Sequence, residues 1–148
     1  MMSHLQQQRN SLSLLNTCQN NTSLVVHSGL LYKQGRVMRN WKLRHVTLTP
    51  VALTYYSSEG GELKGTVDIR CCVPSSLEFL APSRLDFGSV RHRLAIHTPA
   101  RRLMLAAASV QDKNAWAFAL LTLFKANQGR MEQQGPSVQI STRWSSVA

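Results

Sequence analysis

In 148 residues the chain carries 17 lysines and arginines against 7 aspartates and glutamates, a formal charge of +10 at neutral pH, with 43% apolar residues. That apolar share supports one ordinary core, hence one domain, and the charge points to polyanionic partners such as membrane phosphates, nucleic acid or acidic proteins. Cys18, Cys71 and Cys72 contain no C-x-x-C pair, so they support neither a disulfide framework nor a zinc site and agree with a reducing cytosol.

No charged segment followed by an apolar run opens the chain, so a signal peptide is not expected. Residues 1–24, rich in Gln, Asn, Ser and Leu, read as a disordered arm. Residues 28–34, 41–49 and 52–56 then alternate apolar with polar side chains, the period of half-buried strands. The first two are joined by GRVMRN, residues 35–40, a glycine-led loop too polar for a core. Five cations lie between Lys33 and Arg44, namely Lys33, Arg36, Arg39, Lys42 and Arg44, and the first acid of the chain is Glu59. Lys42 and Arg44 leave their strand on one face, with Leu43 and His45 expected to turn to the core. Lys33, closing the first strand, faces the same loop. The three form a cationic cup suited to a compact, multiply charged anion: arginine grips phosphate with paired hydrogen bonds and lysine supplies a mobile point charge. Tyr56, alternating with Tyr55, is expected in the core.

A fourth strand is expected over residues 65–69, with Val67 and Ile69 on one face. Cys71, Cys72 and Val73 either continue it or open the fifth, whose centre is residues 77–80. Residues 81–89, carrying Arg84, read as a loop. Residues 91–97 place Leu94 and Ile96 inwards and Arg93, Ala95 and His97 outwards, and residues 102–108 return with Leu103 and Leu105 inwards. Seven strands at short spacing suggest a small barrel or sandwich. Ser109 is a helix N-cap, with Asp112 favouring the positive end of the helix dipole. Trp116, Ala119, Leu120 and Leu123 then share one face, which should plug the strands. Phe118 and Leu121 lie on the other side, to be covered by the tail or by a protein partner. The near-apolar run 115–124 is too short for the roughly 20 residues a bilayer span needs. Residues 128–148 read as a flexible tail.

The strings GLLYKQG, WKLR and LTYY, with nine residues from Lys33 to Lys42, resemble a pleckstrin homology domain. The resemblance covers residues 28–127, including the lone tryptophan of the closing helix, and the domain is set at 25–127. It implies a mainly β fold of seven antiparallel strands in two near-orthogonal sheets, capped by the carboxy-terminal helix. Lys33, Lys42 and Arg44 match positions that grip headgroup phosphates, Tyr55 a tyrosine that hydrogen-bonds a phosphate, and Lys64 a fourth basic position. The loops after strands one, three and six would share one end, so Arg36, Val37, Met38, Arg39, Arg101 and Arg102 would face the membrane. His45 and Val46 stand where the family carries aromatics. The function implied is recruitment of a cytosolic adaptor to a membrane, plasma or endosomal, through a phosphoinositide. Some relatives with a similar frame read phosphatidylserine.

Other readings leave different signatures. A protein-docking module without lipid specificity is the main alternative, because fold does not determine function. Nucleic-acid binders interleave aromatics with their cations, and only Trp41 and Tyr55 could serve here. His92 and His97 face opposite ways and cannot chelate together. No G-x-S-x-G, P-loop or H-E-x-x-H occurs, so no enzyme, metal or cofactor is expected.

Overall fold

The computed structural model describes residues 24–82 and 88–135. The amino-terminal arm, the part of the loop that carries Arg84 and the tail beyond residue 135 lie outside the described residues. Seven strands run in order: β1 His27–Gln34, β2 Trp41–Leu48, β3 Ala52–Tyr56, β4 Leu63–Asp68, β5 Leu77–Phe79, β6 His92–His97 and β7 Arg102–Ala107, followed by helix α1, Val110–Gln133. Every pairing is antiparallel, in the spatial order β4-β3-β2-β1-β7-β6-β5. This is the expected complement of seven antiparallel strands and one closing helix. The two halves share β1, so the hydrogen bonding is continuous from β4 to β5.

The core is built by period-two alternation from both halves. Leu31, Val46, Leu48, Leu53, Leu94, Ile96 and Leu105 have no exposed surface. In β2 this alternation reverses one expectation. Val46 and Leu48 are the buried pair, so Lys42 and Arg44 lie on the same, inward side further along the strand. Leu43 therefore faces outwards and is 43% exposed. His45 goes with it, packing against Tyr56 at 6.5 Å between ring centroids. Tyr56 is thus outside and half-buried, while Tyr55 is the core member of the pair.

Two further expectations change at the other half. Ala95 is fully buried, because β6 runs between β5 and β7, with Glu78 and Met104 as its register partners. Cys71 and Cys72 neither extend β4 nor open β5. The chain turns through them, the Cys72 N–H donating to Ile69 O at 3.0 Å, and enters a short 3-10 turn at Pro74–Ser76.

Ser109 caps α1, its side-chain oxygen accepting from the Asp112 N–H at 3.1 Å. Trp116, Ala119, Leu120 and Phe124 form its buried stripe. The indole of Trp116 meets His27 edge-on at 4.5 Å and lies over Gly29, where a Cβ would stand 3.9 Å from the ring. Leu121 packs against the core from the margin of the stripe, so only Phe118 of the expected outward pair stands clear, 75% exposed. The helix continues past residue 127 to Gln133, so the first residues of the expected tail are helical. Buried Asn127 ties this last part down, its side-chain amide donating to Ile69 O at 2.9 Å and Cys72 O at 3.0 Å. No helix among the described residues is long and apolar enough to cross a membrane.

Candidate functional site

The inward face of β1, β2 and β3 is apolar in the core and becomes cationic where the strands reach the loop between β1 and β2. Lys33 follows Leu31 on that face and pairs across with Lys42, while Arg44 lies opposite Leu31. Tyr55, opposite Val46, continues the face onto β3. Lys64 arrives by a different device. Tyr55 pairs with Gly65 and Tyr56 with Leu63, so Lys64 is an extra residue in β4, and such a bulge re-aims a side chain. The loop is closed by the Gly35 N–H donating to Asn40 O at 2.7 Å and by the Gln34 amide donating to Arg39 O at 3.2 Å.

These elements enclose a cleft of about 240 Å³ lined by Lys33, Lys42, Arg44, Tyr55 and Lys64, together with Gly35 and Asn40. All five residues expected to form a headgroup pocket are therefore brought together. Gly35 and Asn40 were not anticipated. They line the cleft because closing the loop folds it back over the strand end.

Of the four cations, only Lys64 has a carboxylate partner among the described residues, Glu62 at 3.0 Å. Lys33 has an aromatic neighbour instead, its ammonium 4.5 Å from the centroid of the Tyr55 ring. Burial pushes the Lys33 ammonium below its usual pKa. Tyr55 opposes that shift, whereas Arg101 and Arg44 add to it. The Tyr55 hydroxyl accepts from Arg101 Nη2 at 3.3 Å. Burial raises the pKa of this phenol, but the Arg101 hydrogen bond and the Lys33 ammonium pull it net below the ordinary tyrosine value. The Arg101–Tyr55 link had no signal in the sequence, the two being 46 positions apart.

Gly65 explains how the tyrosine fits. A Cβ there would stand 2.2 Å from the Tyr55 hydroxyl oxygen, so the phenol occupies the space a side chain would need. The remaining residues expected to face a membrane lie beside the cleft. Arg36, Val37, Met38 and Arg39 form the exposed loop, with Val37 90% and Met38 82% exposed. Arg101 and Arg102 lie at the turn between β6 and β7, Arg102 donating to Glu78 at 2.8 Å.

Solved structures with the same fold include the C-terminal PH domain of pleckstrin in complex with D-myo-Ins(1,2,3,5,6)P5. It is 27% identical, with a TM-score of 0.56 over 69% of this chain and 97% of that one. A second complex of that domain, with D-myo-Ins(1,2,3,4,5)P5, is 25% identical with a TM-score of 0.53 over 68% of this chain and 98% of that one. Among full-length relatives, mouse "Differentially expressed in FDCP 6" is 30% identical over 68% of this chain and 15% of its own length. Human pleckstrin-2 is 28% identical over 74% of this chain and 31% of its own length. The chain thus spans less than a third of these relatives. The PH domain model matches residues 25–123, and the chain belongs to the PH domain family.

Proposed function

We propose that this domain binds the phosphates of an inositol phospholipid headgroup and so attaches the protein that carries it to an anionic membrane surface. The observation that carries this reading is the convergence of Lys33, Lys42 and Arg44 on one cleft with no carboxylate partner among the described residues. Like charges held this close repel, and a bound anion relieves that cost. The cleft has the room of roughly eight liquid waters, which suits a compact phosphorylated ring held part-way in. Arg44 would grip a phosphate with its fork while Lys33 and Lys42 neutralise charge. Tyr55 and Lys64 complete the wall. The inositol pentakisphosphates named with the pleckstrin domain are ligands of this chemical class.

The surroundings favour a membrane as the source of that headgroup. Val37 and Met38 sit bare at the loop tip between Arg36 and Arg39, the pattern of a segment that dips into the interfacial layer while its cations meet lipid phosphates. Each such cation is worth about 1 kcal/mol near an anionic leaflet.

The test is flotation with vesicles matched in total charge, carrying either a phosphoinositide or phosphatidylserine in phosphatidylcholine. The domain should prefer the phosphoinositide vesicles, and Lys42→Ala/Arg44→Ala should erase the preference with little change in thermal stability. Equal binding to both vesicle types would reduce the cleft to a basic surface. Absence of vesicle binding would turn attention to a protein-docking role.

A further inference from the structure

The outer face of the sheet, turned away from both the core and the cleft, has a pattern of its own. Alternate side chains of β1, β2 and β3 point there, and none of them is a lysine, arginine, aspartate or glutamate. In a chain of net charge +10 this is a local neutrality. The strand register sets Leu30 beside His45, His45 beside Tyr56 and Tyr56 beside Leu63, so these four form one row across β1 to β4. Leu30 and Leu63, the two ends of the row, are 55% and 56% exposed. Tyr32 and Leu43, paired with each other, and Trp41 carry the apolar surface on towards the loop after β1. A contiguous exposed apolar face on a charged protein marks an interaction surface.

Symmetry and charge say what fits it. Turned about an axis parallel to the strands and midway between β2 and β3, the row meets itself in reverse. Leu30 then lies on Leu63 and the His45 imidazole on the Tyr56 phenol, the reciprocal contacts of a two-fold interface. Sheets stacked face to face keep their strands within about 30° of each other, which such an axis satisfies. The same rotation acts on the rim. The loop after β1 carries Arg36 and Arg39, and the turn after β3, at the same end of the antiparallel sheet, carries Glu59 and Glu62, all four exposed. The arginine loop of each copy thus comes against the glutamate turn of the other. Contact through the cationic ends would set two strongly positive surfaces together, whereas here neutral opposes neutral at the centre and opposite charges meet at the rim. The four strands and their rim loops offer a footprint of roughly 500 Å² per copy, the size of a weak and reversible dimer.

We infer that this face is where a second copy of the chain docks, sheet on sheet across a two-fold axis parallel to the strands. Both headgroup clefts then open at the same end of the dimer, so that one membrane surface meets two of them. The pairing stands independently of the headgroup reading, and only the two-point attachment rests on it.

Sedimentation velocity of the full chain, from about 10 µM to about 1 mM, tests the pairing. The average mass should climb from one chain towards two. Leu30 and Leu63 are three strands apart in one copy, about 14 Å, so charges placed there meet only between copies. Leu30→Lys/Leu63→Lys should therefore hold the chain monomeric, weakening association by about tenfold or more, whereas Leu30→Lys/Leu63→Glu should associate again. Both should keep the wild-type thermal melt, since the two positions are exposed. In an equal mixture of isotope-labelled and unlabelled chains, Leu30 methyls of one copy should show nuclear Overhauser contacts to Leu63 methyls of the other. A wild type that stays monomeric throughout would overturn the pairing, and so would association that Leu30→Lys/Leu63→Lys leaves intact. Contacts from this face only to residues 1–23 of the same chain would give it to the amino-terminal arm instead. Flotation with phosphatidylcholine vesicles containing a phosphatidylinositol bisphosphate reads the two-point attachment. Leu30→Lys/Leu63→Lys, despite two added cations, should bind about tenfold more weakly than wild type, and Leu30→Lys/Leu63→Glu should recover. Vesicle binding that ignores dimerisation would remove the two-point attachment and leave the pairing in place. Absence of vesicle binding in every form, with the mass data as expected, would sink the headgroup reading alone.

Discussion

At the scale of single residues the chemistry turns on Tyr55, which is core, pocket wall and hydrogen-bond acceptor together. Its ring supports the Lys33 ammonium, its hydroxyl receives Arg101, and its tip fills the space left by Gly65. Gly65→Ala would drive a methyl into the phenol oxygen and should cost about 1–3 kcal/mol, read by urea denaturation. Combining it with Tyr55→Phe should recover part of that loss, because the clashing oxygen is gone. Strict additivity would mean that the two positions do not touch. The same group makes a pH prediction. The proposed anion binding would need Lys33 protonated, and its pKa lies below the ordinary 10.5 of lysine. Affinity should therefore fall as pH rises through that lowered value, and the lowered Tyr55 phenol adds a negative charge over the same rise. Stability moves the other way. The unfolded chain holds these two protons to higher pH than the folded one, so the pair favours folding as pH rises. Lys33→Arg/Tyr55→Phe should flatten the binding profile. An affinity loss that tracks unfolding would refute this account.

Among the elements, the sequence made the strands legible because glycine, proline and polar loops bracket short alternating runs. The faces were harder to read. In WKLRHVTL an apolar Leu43 between two cations looks like the inward residue, yet Val46 and Leu48 carry more buried surface and set the alternation, turning Lys42 and Arg44 to the inside of the rim. The cluster itself was readable because it depends on strand spacing, whereas its link to Arg101 depends on tertiary packing. The end of α1 was missed for a related reason. Residues 128–133 offer no apolar stripe, and the anchor is a polar residue, Asn127, bonded to two backbone carbonyls. Asn127→Ala should leave Ile69 O and Cys72 O without these buried bonds and destabilise the domain by about 1–3 kcal/mol. Phe118→Ser, on the exposed side of the same helix, should stay within about 0.5 kcal/mol. Comparable losses from both, measured by thermal and urea unfolding, would mean that Phe118 is covered in solution.

For the molecule as a whole, a charge of +10 attracts any anionic surface, and the question is how much of the binding is attraction and how much is fit. Salt separates the two. The Debye length shrinks from about 10 Å at 0.1 M to about 3 Å at 1 M, which removes the pull of cations that merely face a leaflet. Contacts made at hydrogen-bond distance inside a partly dry cleft are screened much less. Binding to phosphatidylserine vesicles, which relies on the bare arginines of the loop, should therefore collapse as salt rises. Binding to phosphoinositide vesicles should weaken more gently, so that the ratio between them grows with salt. In Lys42→Ala/Arg44→Ala the phosphoinositide curve should fall onto the phosphatidylserine curve, since only surface attraction is left. Parallel curves with a constant ratio in the wild type would mean that the cleft contributes charge and no geometry.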